Sequence, residues 1–392
     1  MNQQENEKLA DQFIRAVLNV QAGEKVWVEY IGSYAKDIAD ACSDKVSELG
    51  GVAHVVDRGS DRLNKDIPAM GVDDMKAQGA QELATMKEMD CYIRIDDNAE
   101  EGRINVSTAQ LGAYKKHVMS EMTGERVRNT RWLVTSAPTP EFAQACNMTS
   151  DEANEYYTQV CSVDYGFMAD AVKPLVKRMT EGSEVHIIGQ GTDLRFSIAG
   201  INAIPCTGTH NIPDGECFTA PIRDSVNGTI RFGKSSYMGE RFEFIELSFE
   251  NGKAVKAVAE NEERTKALNA ILDTDDGARY IGEFAIAFNP YVLEPIGDIL
   301  FDEKIAGSLH CALGEAYDVA DNGNVSNIHW DMVHIQRPEH GGGQIWIDGE
   351  LIRDNGLFVP EDLQILNPDS LIAIERERAQ ENAGKAKNKP GL

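Results

Sequence analysis

No apolar run in this 392-residue chain reaches the roughly 18–20 residues that span a bilayer. The opening stretch, MNQQENEKLADQF, is polar and acidic and has no apolar signal core. The expectation is a cytoplasmic protein with no membrane partner. Basic residues are scarce, with Lys plus Arg at 38 against Asp plus Glu at 64, a net charge of −26. Binding a phosphate backbone needs positive potential, so nucleic acid is not an expected partner. The same excess favours cationic ligands such as an amino terminus. The seven cysteines are odd in number, widely spaced and free of CxxC pairs. That pattern argues against a disulfide framework or a zinc ribbon and fits reduced thiols. No GxGxxG or P-loop opens a helix, which argues against nucleotide binding.

What is present reads first as alternating strands and helices. Residues 9–21 have helical apolar spacing, and 26–31 read as a strand. A helix over 33–49 stops at Gly50-Gly51, and strands follow at 53–56, 91–95 and 131–135. Residues 105–125 read as helix, and two more helices fill 140–180. This alternation predicts an α/β domain with a parallel sheet over residues 1–180. From Glu181-Gly182 onward strands dominate. The dipeptides Asn227-Gly228, Asn251-Gly252 and Asp348-Gly349 predict two-residue hairpins. A mixed, mostly antiparallel α+β domain over 181–375 is expected, with helices at 261–272 and after His310. The charged tail, 376–392, reads as a frayed helix or disorder.

Four segments of the second half put metal-type side chains in apolar company. They are NIPDGECFTAP (211–221), GEFAIAFNP (282–290), LHCALGEAY (309–317) and NIHWDMV (327–333). Ionisable groups in such surroundings are costly unless paired or metal-bound. On a strand, His329 and Asp331 share a face with Trp330 opposite. Glu216, Glu283, His310, His329 and Asp331 supply carboxylates and imidazoles, the ligand chemistry of a catalytic and possibly dinuclear site. Cys217 and Cys311, beside two of these residues, read as small packing thiols. Asp193 can serve a turn or bind a substrate amine. His334 falls on the strand face away from Asp331, and His340, before Gly341-Gly342-Gly343, reads as exposed.

These segments together resemble the metalloaminopeptidases of the aminopeptidase T and aminopeptidase S type. In that family a NIPxGE-type segment, a GE motif, an HxALGxAY-type segment and an HxD strand carry the site. Matched residue by residue, they fall on Glu216, Glu283, His310, Tyr317, His329 and Asp331. The family's GTDL segment appears at Gly191-Thr192-Asp193-Leu194. A further family glutamate is matched by Glu303, with a longer connector to His310, and residues 321–325 form a shortened segment. The resemblance implies a homodimer that cleaves N-terminal residues from a peptide substrate, with two divalent metals per chain (Zn, Co, Mn or Mg). Glu216 or Glu283 would handle the proton, and Tyr317 would stabilise the oxyanion. A ring-cleaving dihydroxypyridine dioxygenase is related to the same family. The alternative is therefore a non-haem Fe(II) dioxygenase using His310, His329 and Asp331.

Overall fold

The structure, a computed structural model, describes residues 1–59, 66–97, 108–237 and 239–387. It divides into two compact units. One comprises Met1–Ser162 and Gly208–Pro213, and the other Val163–Thr207 and Asp214–Leu392. The division falls earlier than the change of style near Glu181, because helices Tyr165–Ala171 and Lys173–Glu181 belong to the second unit.

The first unit is built on a parallel sheet. Strands β1 (Lys25–Ile31), β2 (Val52–Asp57), β3 (Cys91–Asp96) and β4 (Arg131–Ser136) run in the order β2-β1-β3-β4, with the short strand Asn211–Ile212 beside β4. β1 is covered on both faces, so Val26, Trp27 and Val28 are all buried. That explains its continuous apolar run. Helix Ser33–Glu48 buries Ala35, Ile38, Ala39, Cys42 and Val46, a single helical stripe. The helix expected at 105–125 is present from Thr108, and residues 105–107 lie outside the described residues. Four helices, not two, occupy 140–181.

The second unit holds two larger sheets. An eight-stranded antiparallel sheet contains the Asn251-Gly252 and Asp348-Gly349 turns, each with both residues at positive φ. The Asn227-Gly228 hairpin does not form: both residues lie inside strand Asn227–Phe232. A Cβ on Gly228 would stand 2.1 Å from the Asp193 carbonyl oxygen, so this glycine permits close strand approach and not a turn.

The five-stranded sheet consists of β5 (Ile204–Cys206), β6 (Glu216–Thr219), β7 (Ile281–Ala287), β8 (Ser308–Gly314) and β9 (His329–Ile335). Its order is β9-β8-β7-β6-β5, and every neighbouring pair is antiparallel. All residues of β7 and β8 are buried. The expected helix after His310 is absent. His310 lies within β8, and a loop follows. Helix Pro368–Lys387 covers most of the charged tail.

Candidate metal centre

Strand register assembles the site. Across β7 and β8, Glu283 faces Ala312 and Ala285 faces His310. Across β8 and β9, Ala312 faces Asp331 and Gly314 faces His329. Across β6 and β7, Glu216 faces Ala287. Directly opposed residues share a face. One face of the sheet therefore carries Glu216, Glu283, His310, His329 and Asp331. Between them lie Ala285, Ala287, Ala312 and Gly314, whose small side chains leave room for something else. Cys217, Cys311, Leu309, Leu313, Trp330 and Met332 alternate onto the opposite face. Gly282, at an irregularity in the β7–β8 ladder, has no room for a side chain: a Cβ would meet the Gly314 and Glu315 carbonyl oxygens at 2.4 Å.

The interatomic distances are those of a ligand shell. His310 Nε2 lies 3.1 Å from Glu283 Oε1 and 3.9 Å from Asp331 Oδ1. His329 Nε2 lies 3.4 Å from Asp331 Oδ1 and 3.6 Å from Glu283 Oε2. Ligand atoms about 2.0–2.1 Å from a tetrahedral zinc stand about 3.3 Å apart. His329 Nδ1 lies 2.8 Å from the Glu315 carbonyl oxygen. A proton there leaves Nε2 with its lone pair facing the carboxylates. Glu216 Oε2, Glu283 Oε2 and His310 Nδ1 are buried without a hydrogen-bond partner among the described residues. Three orphaned polar atoms on one sheet face are costly by themselves. A divalent cation would satisfy Glu283 Oε2 and the facing imidazole nitrogens, so the residues present fit a metal.

The carboxylates dominate the electrostatics. Burial alone would lower both imidazoles. Glu216 and Glu283 nevertheless push His310 up to about 10, and Asp331 with Glu283 pushes His329 up to about 9. Asp331 is depressed to about 2, where the two histidines outweigh burial.

Glu303 reaches the same cluster from the end of the short helix Ile299–Asp302, and its carboxylate turns to a neighbour the sequence did not suggest. That neighbour is Lys304, fully buried, with Nζ 2.7 Å from Glu303 Oε1, 2.6 Å from Glu216 Oε1 and 3.5 Å from Asp214 Oδ1. A lysine directly after Asp302-Glu303 reads as surface, and no local pattern marks it otherwise. Burial works against its ammonium, but Glu216 and Glu303 hold its pKa well above the ordinary value. Tyr317 sits in the loop after β8, half exposed. Its ring lies 4.7 Å from that of His329 and edge-on to Phe218. His334 is on the other face of β9, with Nδ1 2.7 Å from the Arg231 carbonyl oxygen. Asp193 is exposed and pairs with His186. His340 lies beside Glu294 and Glu339, apart from this cluster.

Comparison with solved structures gives the same fold. AmpT from Thermus thermophilus matches with a TM-score of 0.75 at 23% identity, covering 91% of this chain and 99% of that one. A 2,5-dihydroxypyridine dioxygenase from Pseudomonas putida KT2440 matches with a TM-score of 0.60 at 14% identity over the same shares. Among curated proteins, Aminopeptidase T from Thermus aquaticus is 34% identical over 204 residues, 45% of this chain and 47% of that protein. Aminopeptidase AmpS from Bacillus subtilis is 35% identical over 150 residues, 34% and 35% of the two chains. The aligned stretches thus span less than half the length of these relatives. A sequence model of the whole family extends much further, over residues 2–339, and this chain belongs to the thermophilic metalloprotease family M29.

Proposed function

We propose that this chain is a metal-dependent aminopeptidase that removes N-terminal residues from peptides, acting in the cytoplasm as a homodimer. The observation that carries the reading is the single sheet face bearing Glu216, Glu283, His310, His329 and Asp331, with three of their buried polar atoms unpartnered. Family membership and aminopeptidase-named relatives support the same reading. When bound, a divalent metal (Zn, Co, Mn or Mg) lowers the pKa of water towards about 7 and polarises the scissile carbonyl.

Glu283, His329 and Asp331, whose ligand atoms lie within 4.8 Å of one another, would hold the ion together with His310, which faces Glu283 at 3.1 Å, and the Glu315 carbonyl fixes the orientation of His329. Glu216 presents its unpartnered Oε2 to the site and is the carboxylate placed to take and return a proton. The Tyr317 hydroxyl donates to the developing oxyanion from the rim, its ring resting on His329. A cluster rich in carboxylates attracts the protonated amine of a peptide's first residue. The dioxygenase alternative requires only His310, His329 and Asp331 and gives Glu216 and Glu283 no part as ligands. No aligned relative at 30% identity or above carries that name. Aminoacyl arylamides with free and acetylated amino termini test the proposal. Cleavage of the free-amine substrates alone is expected. Equal cleavage of both, or of neither over a broad panel of residues and metals, would overturn it.

A further inference from the structure

The loop that carries Glu303 into the cluster also delivers a fixed positive charge. Lys304 Nζ faces oxygens of Glu216, Glu303 and Asp214 at 2.6, 2.7 and 3.5 Å. The ammonium donates a hydrogen bond to Glu216 Oε1, and the Glu303 and Asp214 carboxylates flank it as ion-pair partners. This lysine is fully buried, and its own carbonyl accepts a hydrogen bond from the Asn289 backbone N–H.

We propose that the Lys304 ammonium takes the place of a second metal, so that each chain holds one divalent ion. This deepens the metallopeptidase reading above and rests on it. The resemblance implied two ions, with Glu216 and Glu303 among their ligands. In the structure, one oxygen of each is already committed to Lys304. An ion held on the Glu216 side would sit one carboxylate away from the ammonium. Like charges so close in a water-poor interior repel strongly. Among the described residues no such cation lies at the opposite end of the cluster. There Glu283 Oε2 is unpartnered and 3.6 Å from His329 Nε2, which is itself 3.4 Å from Asp331 Oδ1. His310 Nε2, 3.1 Å from Glu283 Oε1 and 3.9 Å from Asp331 Oδ1, adjoins this group and would be the fourth donor to one ion. Glu303 is then a partner of Lys304 and not a ligand. Glu216 is free to act through Oε2 as the proton-handling carboxylate.

The test counts metal. The full chain is stripped with chelator, titrated calorimetrically with Zn²⁺, freed of unbound ion by gel filtration, and assayed for zinc by mass spectrometry. One zinc per chain is expected for the native sequence. Lys304→Met keeps an unbranched side chain one heavy atom shorter, removes the charge and is expected to raise the count to two. Glu303→Gln keeps the shape of the side chain and is expected to keep the count at one, because Glu303 pairs with Lys304 and not with the ion. Two zinc ions in the native chain would overturn the proposal, as would a folded Lys304→Met that still binds one. If Lys304→Met does not fold, the native count and Glu303→Gln decide the matter, and loss of the ion in Glu303→Gln would overturn it. A native chain that binds no metal would sink the metallopeptidase reading itself, a result distinct from a count of two.

Discussion

Glu283 is the residue on which the proposed ligand set turns, because its two oxygens face different histidines. Glu283→Gln should abolish peptide cleavage and bound metal while circular dichroism stays native. A fully active variant would remove it from the site. Glu216→Gln should abolish cleavage but leave bound metal, which separates proton handling from ligation. Tyr317→Phe removes one hydrogen bond made mainly in the transition state. Turnover should fall roughly 10²–10³-fold with little change in KM or metal content. Unaltered turnover with a lower melting temperature would make Tyr317 a structural ring against His329. The histidines give a pH signature. Their pKa values in the metal-free fold, about 10 for His310 and about 9 for His329, lie above the ordinary 6.5. Protonation therefore stabilises the metal-free fold fully below pH 6.5, and that contribution disappears as pH rises through 9 to 10. The melting temperature of stripped protein should fall over that window. Metal must displace both protons, so calorimetry in buffers of different ionisation enthalpy should show about two protons released per ion at pH 7. Release of none would contradict the assigned ligands.

At the scale of elements, the site depends on β7, β8 and β9 staying in register. Gly314 is the tightest point of that pairing. It has φ +106 and faces His329, and a Cβ there would lie 2.0 Å from the Ile328 carbonyl oxygen. Gly314→Ala should cost about 1–3 kcal/mol from backbone strain alone and should lower metal affinity by displacing His329. Retained stability and metal binding would show that β9 tolerates a shift. Much of this arrangement was legible beforehand. Strand alternation placed His329 and Asp331 together, and the apolar flanks of Glu216, Glu283 and His310 marked them as unusual. The parallel sheet followed from the alternation of strands with helices. Other features were not legible, for identifiable reasons. The stretch after Leu309 is rich in Ala, Leu and Glu and favours helix locally, but pairing on both edges of β8 overrides that preference. Asn227-Gly228 has turn chemistry, yet its glycine serves close strand packing. Lys304 carries no sequence signal, because only the tertiary fold turns it inward.

For the whole molecule, the net charge of −26 predicts no retention on polyanionic resins at neutral pH. Among the described residues no helix is long and apolar enough to cross a membrane. The proposed homodimer predicts a light-scattering mass twice that of the chain, and a monomer at micromolar concentration would contradict it. The central claim is that one metal-bearing sheet face performs peptide hydrolysis. It is tested most directly by stripping the purified chain with chelator, restoring divalent metal stepwise, and recording aminoacyl-arylamide cleavage and bound metal on the same samples. Cleavage should fall to background on stripping and return in proportion to bound metal. A stripped chain with full turnover, or a fully loaded chain idle on every substrate, would contradict the account.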